Sequence, residues 1–371
     1  MRITRLETLY VKPRWVFLKM HTDEGIVGLG EPVVEGRSQT VAAAVQEAGR
    51  YLIGEDPRRI EHHWQALYRG AFYRGGPVLC SALSGIEQAM WDILGKSLGV
   101  PVYQLLGGAT RNRIRMYGWI GGRTPEECAE SAKARVAQGF RTLKTALFDQ
   151  VRIVDVPGVV ERAAERMAAI REAVGPDVDV GVDFHGRVSP AMAIRLAKAL
   201  EPYSPMFIEE PVLPENVDAL ATVARSTTVP VATGERLFTK WAFREVLEKQ
   251  AAVVLQPDLS HVGGILECKK VAAMAETYYA AVAPHCPLGP IALAACLQLD
   301  ACIPNFLCQE HATTGEGYLR QPFEISDGYV ALPTTPGLGV ELDDDAVAEK
   351  LYDGSWETPR LWHEDGSVAD W

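Results

Sequence analysis

Two regimes of apolar and polar alternation divide this chain near residue 110. Before that point, Trp15–His21 and Ile26–Glu31 flank Thr22-Asp23-Glu24-Gly25, which reads as a β-hairpin. Helical periodicity follows at roughly 38–53, 57–69 and 80–98. In the last of these, Ala82, Ile86, Ala89, Met90, Ile93 and Leu94 share a face, and Gly99 supplies a C-terminal stop. Strands followed by helices predict an α+β unit.

Past the polar Thr110–Arg113 stretch the alternation becomes regular. Strand-like segments end near Trp119, Ala146, Asp183, Glu209, Glu235, Pro257, His285 and Glu310, with helical segments between them. Thr124-Pro125-Glu126-Glu127 reads as a capping box with proline at the first helical position, and Gly139 closes that helix. Ser189-Pro190 starts another helix, and Gly175-Pro176 ends the one before it. Eight such units predict a (β/α)-barrel, whose catalytic groups belong at the C-terminal ends of its strands. The tail from about 345 has weak periodicity and several tryptophans (Trp356, Trp362, Trp371), and is expected to pack back onto the N-terminal unit. The expected division is therefore a capping domain at 1–112, a barrel at 113–344 and a returning tail at 345–371.

Composition narrows the function. At 371 residues the chain exceeds the roughly 250 of a bare barrel, which leaves room for the extra domain. A formal charge of −11 argues against nucleic acid or an anionic membrane as partner. An acidic surface would also repel an acidic substrate, so cations at the site must reverse the local field. Met1-Arg2-Ile3-Thr4 begins no apolar signal segment, and no run approaches the ~18 apolar residues of a membrane span. The seven cysteines form no CxxC pattern and sit mostly in apolar company, as expected of reduced buried thiols in a cytoplasmic protein.

The chemistry is concentrated at the strand ends. Asp183, Glu209 and Glu235 are evenly spaced, one βα unit apart, so they converge on one face of the barrel as a hard-oxygen cage for a divalent ion, most plausibly Mg²⁺. Three carboxylates leave about three octahedral positions for waters and a bidentate hydroxy acid. Glu210 should point to the opposite face from Glu209. His185 follows Asp183 by two residues, so a continuing strand would put both side chains on one face. His285 and Asp258 end adjacent strands, and an aspartate on the second ring nitrogen fixes the tautomer and raises basicity. Glu310 joins the ring as a hydrogen-bond donor to an oxyanion, if protonated. Arg236 is expected to pair structurally with a carboxylate, and His261 to be structural.

Several blocks carry a wider likeness: Phe72-Tyr73-Arg74-Gly75-Gly76-Pro77, Asp183-Phe184-His185-Gly186-Arg187, Ile208-Glu209-Glu210-Pro211, Thr233-Gly234-Glu235-Arg236, Gln256-Pro257-Asp258 and Ala283-Pro284-His285-Cys286-Pro287. Over essentially its whole length the chain resembles the mandelate-racemase subgroup of the enolase superfamily, and within it looks like the bacterial D-galactonate dehydratases. The resemblance implies a modified (β/α)7β TIM-type barrel with an N-terminal α+β capping domain completed by the C-terminal tail. It implies one Mg²⁺ per subunit on Asp183, Glu209 and Glu235. It assigns His285, tuned by Asp258, to remove the C2 proton of an aldonate, and His185 to protonate the departing C3 hydroxyl. Glu310 would steady the resulting enediolate. Trp15, Tyr73 and Arg74 fall in segments that close over the barrel mouth in this superfamily and, with Lys144, are candidate substrate contacts. Large barrels of this type often associate, so a homo-oligomer is expected.

One departure matters. Many subgroup members carry Lys-x-Lys at the end of the second strand, but here the segment reads Lys144-Thr145-Ala146. Alanine carries no proton, which disfavours racemase and cycloisomerase readings and leaves the sugar acid less determined than the reaction. Dehydration of gluconate, arabinonate or fuconate, an epimerase and a non-catalytic sugar-acid sensor are the rivals to dehydration of D-galactonate.

Overall fold

A computed structural model describes residues 1–370; the tail's Trp371 lies outside the described residues. Three antiparallel strands open the chain: β1 (Ile3–Val11), β2 (Trp15–Thr22) and β3 (Val27–Gly30). The predicted hairpin is β2–β3, while β1, which the sequence pattern did not reveal, pairs with β2 from Ile3↔Thr22 to Val11↔Trp15. Helices α1 (Ser38–Leu52), α2 (Ile60–Arg69) and α3 (Pro77–Leu98) follow. Proline at the first position of α3 lacks only an N–H that would have no helical partner. At its other end Gly99 takes the left-handed conformation (φ 71°) that stops a helix. The strand β3 lies directly on α3, where a Cβ at Gly28 or Gly30 would collide with the carbonyls of Ala89 and Gly85. Held between sheet and barrel, α3 buries not only its apolar stripe but also Ser81, Ser84, Glu87, Gln88 and Asp92.

A short helix, α4 (Val102–Leu105), and strand β4 (Arg113–Arg115) lead into a parallel sheet whose strand order follows the chain. Its members are β5 (Gly118–Trp119), β6 (Thr142–Thr145), β7 (Asp179–Asp183), β8 (Phe207–Glu209), β9 (Val231–Thr233), β10 (Val254–Leu255) and β11 (Ala281–Val282). Between them run α5 (Pro125–Ala137), α6 (Pro157–Val174), α7 (Pro190–Leu200), α8 (Val217–Ala224), α9 (Thr239–Glu248) and α10 (Ile265–Glu276), and α11 (Pro290–Cys302) follows β11. The ring closes through residues 306–309, which form parallel bridges Val282↔Phe306 and Met116↔Gln309. Leu307 N–H donates to the Val282 carbonyl, and Gln309 N–H to that of Arg115, so this segment serves as the eighth stave. The caps read from sequence are present: Thr124 and Glu127 form the capping box of α5, and the Ser189 hydroxyl accepts the Met192 N–H at the start of α7.

Three strands stop earlier than expected. Because β9, β10 and β11 end at Thr233, Leu255 and Val282, the side chains of Glu235, Asp258 and His285 stand on the turns just past the strands, still at the same mouth. After the barrel, β12 (Ile325–Ser326) and β13 (Tyr329–Ala331) form an antiparallel sheet with β4. Beyond α12 (Asp344–Ala348) the chain returns to the N-terminal sheet: Lys12 N–H donates to the Lys350 carbonyl, and Tyr352 N–H to that of Tyr10. All seven cysteines are free and buried. Among the described residues no helix is long and apolar enough to cross a membrane.

Candidate active site

Asp183 and Glu209 are the last residues of β7 and β8 and pair directly across the sheet, so register alone sets their carboxylates side by side. With Glu235 from the turn after β9, each offers an oxygen, all within 4.8 Å of one another. Lys144 reaches into this cluster from β6, its Nζ 2.5 Å from Glu209 Oε1, 3.1 Å from Asp183 Oδ2 and 3.5 Å from Glu310 Oε1. Its ammonium is kept protonated well above the usual range: burial opposes the charge, but Asp183, Glu209 and Glu310 outweigh it. Three buried carboxyls and the part-buried Glu235 therefore crowd around one buried ammonium, which alone does not balance their charge. Burial and then Asp183 push Glu209 well up, and burial takes Glu235 to about 7. An all-oxygen donor set with excess negative charge fits a hard divalent cation.

The histidines flank this cluster. His285 Nδ1 lies 2.8 Å from Asp258 Oδ2, and its Nε2 is 3.4 Å from Glu235 and 3.9 Å from Glu310. Asp258 is itself fixed by the Ser260 N–H at 2.7 Å, so the Nδ1 side of the ring is committed and Nε2 faces the cluster. Burial disfavours its imidazolium, yet Glu235, Glu310 and Asp258 hold it well above the ordinary range. His185 arrives differently from the expected strand alternation. The strand stops at Asp183, and His185 adopts a left-handed backbone (φ 54°) while its N–H donates to Asp183 Oδ1 at 2.8 Å. That turn, not a continuing pleat, brings the ring Nδ1 within 3.4 Å of the same carboxylate, and burial lowers the imidazole's affinity for a proton. Both imidazoles line one cavity of about 310 Å³ with Glu235, Arg236, Pro77 and Leu288.

Glu310 is in the ring, where each of its oxygens accepts an N–H. Although burial disfavours its charge, Lys144 and His285 bring its carboxyl down to about 2, so it is an ionised acceptor from Trp119 Nε1 (2.9 Å) and the Cys286 N–H (2.9 Å). Glu210 stays out of the cage, as expected, accepting from Arg236, the Thr233 hydroxyl and the Gly234 N–H. Arg236 thus has the structural pairing read from sequence, and also borders the cavity. His261 binds the Ser81 hydroxyl at 2.8 Å while presenting an edge to the same space.

None of the four expected substrate contacts lines the cavity that the two imidazoles share. Trp15 is buried in the N-terminal domain, stacked on Phe17 and edge-on to Tyr318, because the inward face of β2 carries it into the core. Tyr73 and Arg74 lie on the exposed segment between α2 and α3, bordering a different hollow made by α1, α2 and α3. Lys144 is only 1% exposed, with its ammonium among the carboxylates and over the Trp119 ring. Sequence reasoning missed Trp119 and Gln256, whose Nε2 donates to Glu209 Oε2 at 2.7 Å. Both lie at strand ends of the mouth, and that position was the available signal.

With this geometry in view, comparison with known proteins is specific. Residues 6–107 match the mandelate racemase/muconate lactonizing enzyme N-terminal domain, and residues 127–346 match the enolase C-terminal domain-like family. The chain is 52% identical to the D-galactonate dehydratase of Ralstonia nicotianae (strain ATCC BAA-1114 / GMI1000) and 50% identical to that of Cronobacter sakazakii (strain ATCC BAA-894), with all of each chain covered. Among solved structures, an enolase from Agrobacterium radiobacter with bound Na and L-malate superposes with a TM-score of 0.94 at 30% identity over the full length of both chains. A mandelate racemase/muconate lactonizing enzyme from Jannaschia sp. CCS1 gives 0.91 at 36% identity, covering 95% of this chain and 98% of its own. Two domain matches in register with the fold, and identity sustained from end to end, mean that the chain belongs to the mandelate racemase/muconate lactonizing enzyme family of the enolase superfamily.

Proposed function

We propose that this protein is a Mg²⁺-dependent dehydratase that converts D-galactonate to 2-dehydro-3-deoxy-D-galactonate and water. The observation that carries the reading is the pair of imidazoles, His185 and His285, facing one cavity beside the Asp183–Glu209–Glu235 cluster. A two-base racemase or epimerase also takes a proton on one side and returns one on the other. Here, however, the position two residues past Lys144, where a second lysine base would stand, is Ala146, which leaves His185 to serve the departing hydroxyl. The full-length dehydratase relatives support the same choice.

Asp183, Glu209 and Glu235 would hold the cation, which supplies Lewis-acid polarisation of the substrate carboxylate when bound. With its ring in the neutral form, His285 Nε2 would take the C2 proton, and Asp258 holds Nδ1 so that the reacting nitrogen stays aimed at the cavity. That form would be favoured by a cation on Glu235, which cancels carboxylate charge that otherwise holds the ring protonated. The C2–H electron pair forms the C2–C3 double bond as the C3–O bond breaks, and His185, in its protonated form, gives a proton to the leaving oxygen. Burial, which weakens its hold on that proton, makes it the stronger acid. The resulting enol tautomerises to the 2-keto acid. Lys144, Trp119 and Gln256 fix the carboxylates of Glu209 and Glu310 in place.

The same reading makes the protein a cytoplasmic homo-oligomer with one Mg²⁺ per subunit, its residues 1–112 capping the barrel of 113–344 and 345–371 completing the cap. A Mg²⁺-supplemented panel of aldonates with keto-acid detection tests it. D-galactonate should give the fastest turnover; preference for gluconate, arabinonate or fuconate would reassign the substrate, and turnover of none would remove the dehydratase reading.

A further inference from the structure

The two helices directly downstream of the Asp258–His285 pair begin without side-chain caps of their own. Gly264 precedes α10 and Gly289 precedes α11, and neither helix has a cap from its own N-cap side chain. The first N–H groups of a helix still require acceptors, especially when buried. Here they come from the other domain. Glu31, just past β3, accepts the Gly289 N–H at 2.7 Å and the Ala292 N–H at 2.9 Å. Glu87, on α3, accepts those of Ile265 at 2.8 Å and Leu266 at 2.9 Å. Both carboxyls are fully buried. Each occupies the space a side chain at the cap position would take, since a Cβ built on Gly289 would meet Glu31 and one on Gly264 would meet Glu87. Gln88 ties the two together: its Oε1 accepts the Glu31 N–H at 2.8 Å, and its Nε2 donates to the Leu259 carbonyl at 3.1 Å, in the turn after Asp258.

We propose that Glu31 and Glu87 are positioning residues for the Asp258–His285 dyad, capping α11 and α10 across the domain junction and so fixing the turns on which the two reacting side chains stand. The N-terminal domain is then a template for the base as well as a cover for the barrel. Severing a cap frees the turn between His285 and Gly289, and a base displaced by a fraction of an ångström from its proton loses rate more than substrate affinity. Burial pushes Glu31 up to about 8 and Glu87 to about 7, opposed in both by the helix N–H groups they accept.

The role given to the dyad rests on the dehydratase reading, so the test has two readouts. Kinetically, Glu31→Gln and Gly289→Ala, which attack one contact from its two sides, should each lower kcat about tenfold or more with KM within about twofold. Gln298→Ala is the control: it removes a buried side chain from α11 that binds the Tyr103 N–H and Leu338 carbonyl, away from the dyad, and should lower the melting temperature without that loss of kcat. Independently of any substrate, hydrogen–deuterium exchange should quicken over residues 285–292 in Glu31→Gln and over 258–266 in Glu87→Gln, with the remaining barrel unchanged. Unchanged protection in these two segments would overturn the proposal, as would a kcat loss no larger than that of the control at equal loss of melting temperature. Wild-type protein that dehydrates no aldonate would remove the functional reading alone, and the exchange result would still decide the caps.

Discussion

At the scale of single residues, the two imidazoles have different work and should fail differently. His285→Asn removes the group that takes the C2 proton, so dehydration and exchange of that proton with solvent should both fall by about 10²-fold or more. His185→Asn should lose dehydration by a similar factor while C2 exchange persists, read by mass spectrometry of recovered substrate in D₂O; loss of exchange as well would merge the two roles. Glu209→Gln should weaken Mg²⁺ affinity and activity together, and calorimetry showing unchanged affinity would remove it from the ligand set. Much of this was legible in the sequence because carboxylates ending consecutive parallel strands, one βα unit apart, must meet at one rim of a barrel. The route of His185 was not, since a left-handed turn after Asp183 imitates the two-residue step of a strand. Trp15 misled for a related reason: a tryptophan opening an N-terminal strand reads the same whether its face meets the cavity or the core. The charge of Glu310 was not legible, because it depends on Lys144, distant in sequence and adjacent in space.

At the scale of elements, glycine spacing sets how closely the sheet of the N-terminal domain lies on α3. Gly30→Ala should force the strand off the helix, at a cost on the order of 1–3 kcal/mol, seen as a lowered melting temperature. A variant as stable as wild type would show that β3 can shift without loss. Helix starts were read at Thr124 and Ser189, where the cap is local and neighbours its helix in sequence. They were unreadable for α10 and α11, whose acceptors arrive from Glu87 and Glu31. The trace such caps leave is indirect: Glu87 and Gln88 stand beside the apolar stripe of α3, where a pattern alone suggests a solvated face. Strand β1 went unread because its burial alternates only weakly and its partner is a hairpin already complete on paper.

Across the whole molecule, the junction between domains holds ionisable groups that water does not reach. Glu31 faces Asp258 and Cys286 as well as the α11 N–H groups, and Glu87 faces Lys270, Cys268 and the Trp91 N–H. Both folded carboxyls bind protons more tightly than in the unfolded chain, so their contribution to stability is fully present below about 4.5 and is lost as pH rises through about 7 to 8. The melting temperature at saturating Mg²⁺ should therefore decline between those limits, and the decline should be shallower in Glu31→Gln; an equally steep decline would clear Glu31 of the effect. The barrel itself follows from eight short parallel staves whose C-terminal ends are brought to one rim, which is why residues from Trp119 to Glu310 meet. What that rim does is most directly read by incubating the protein with D-galactonate and Mg²⁺ in D₂O and following the solution by NMR. The account predicts accumulation of 2-dehydro-3-deoxy-D-galactonate with deuterium at C3, whereas recovered sugar acid deuterated and inverted at C2, with no keto acid, would contradict it.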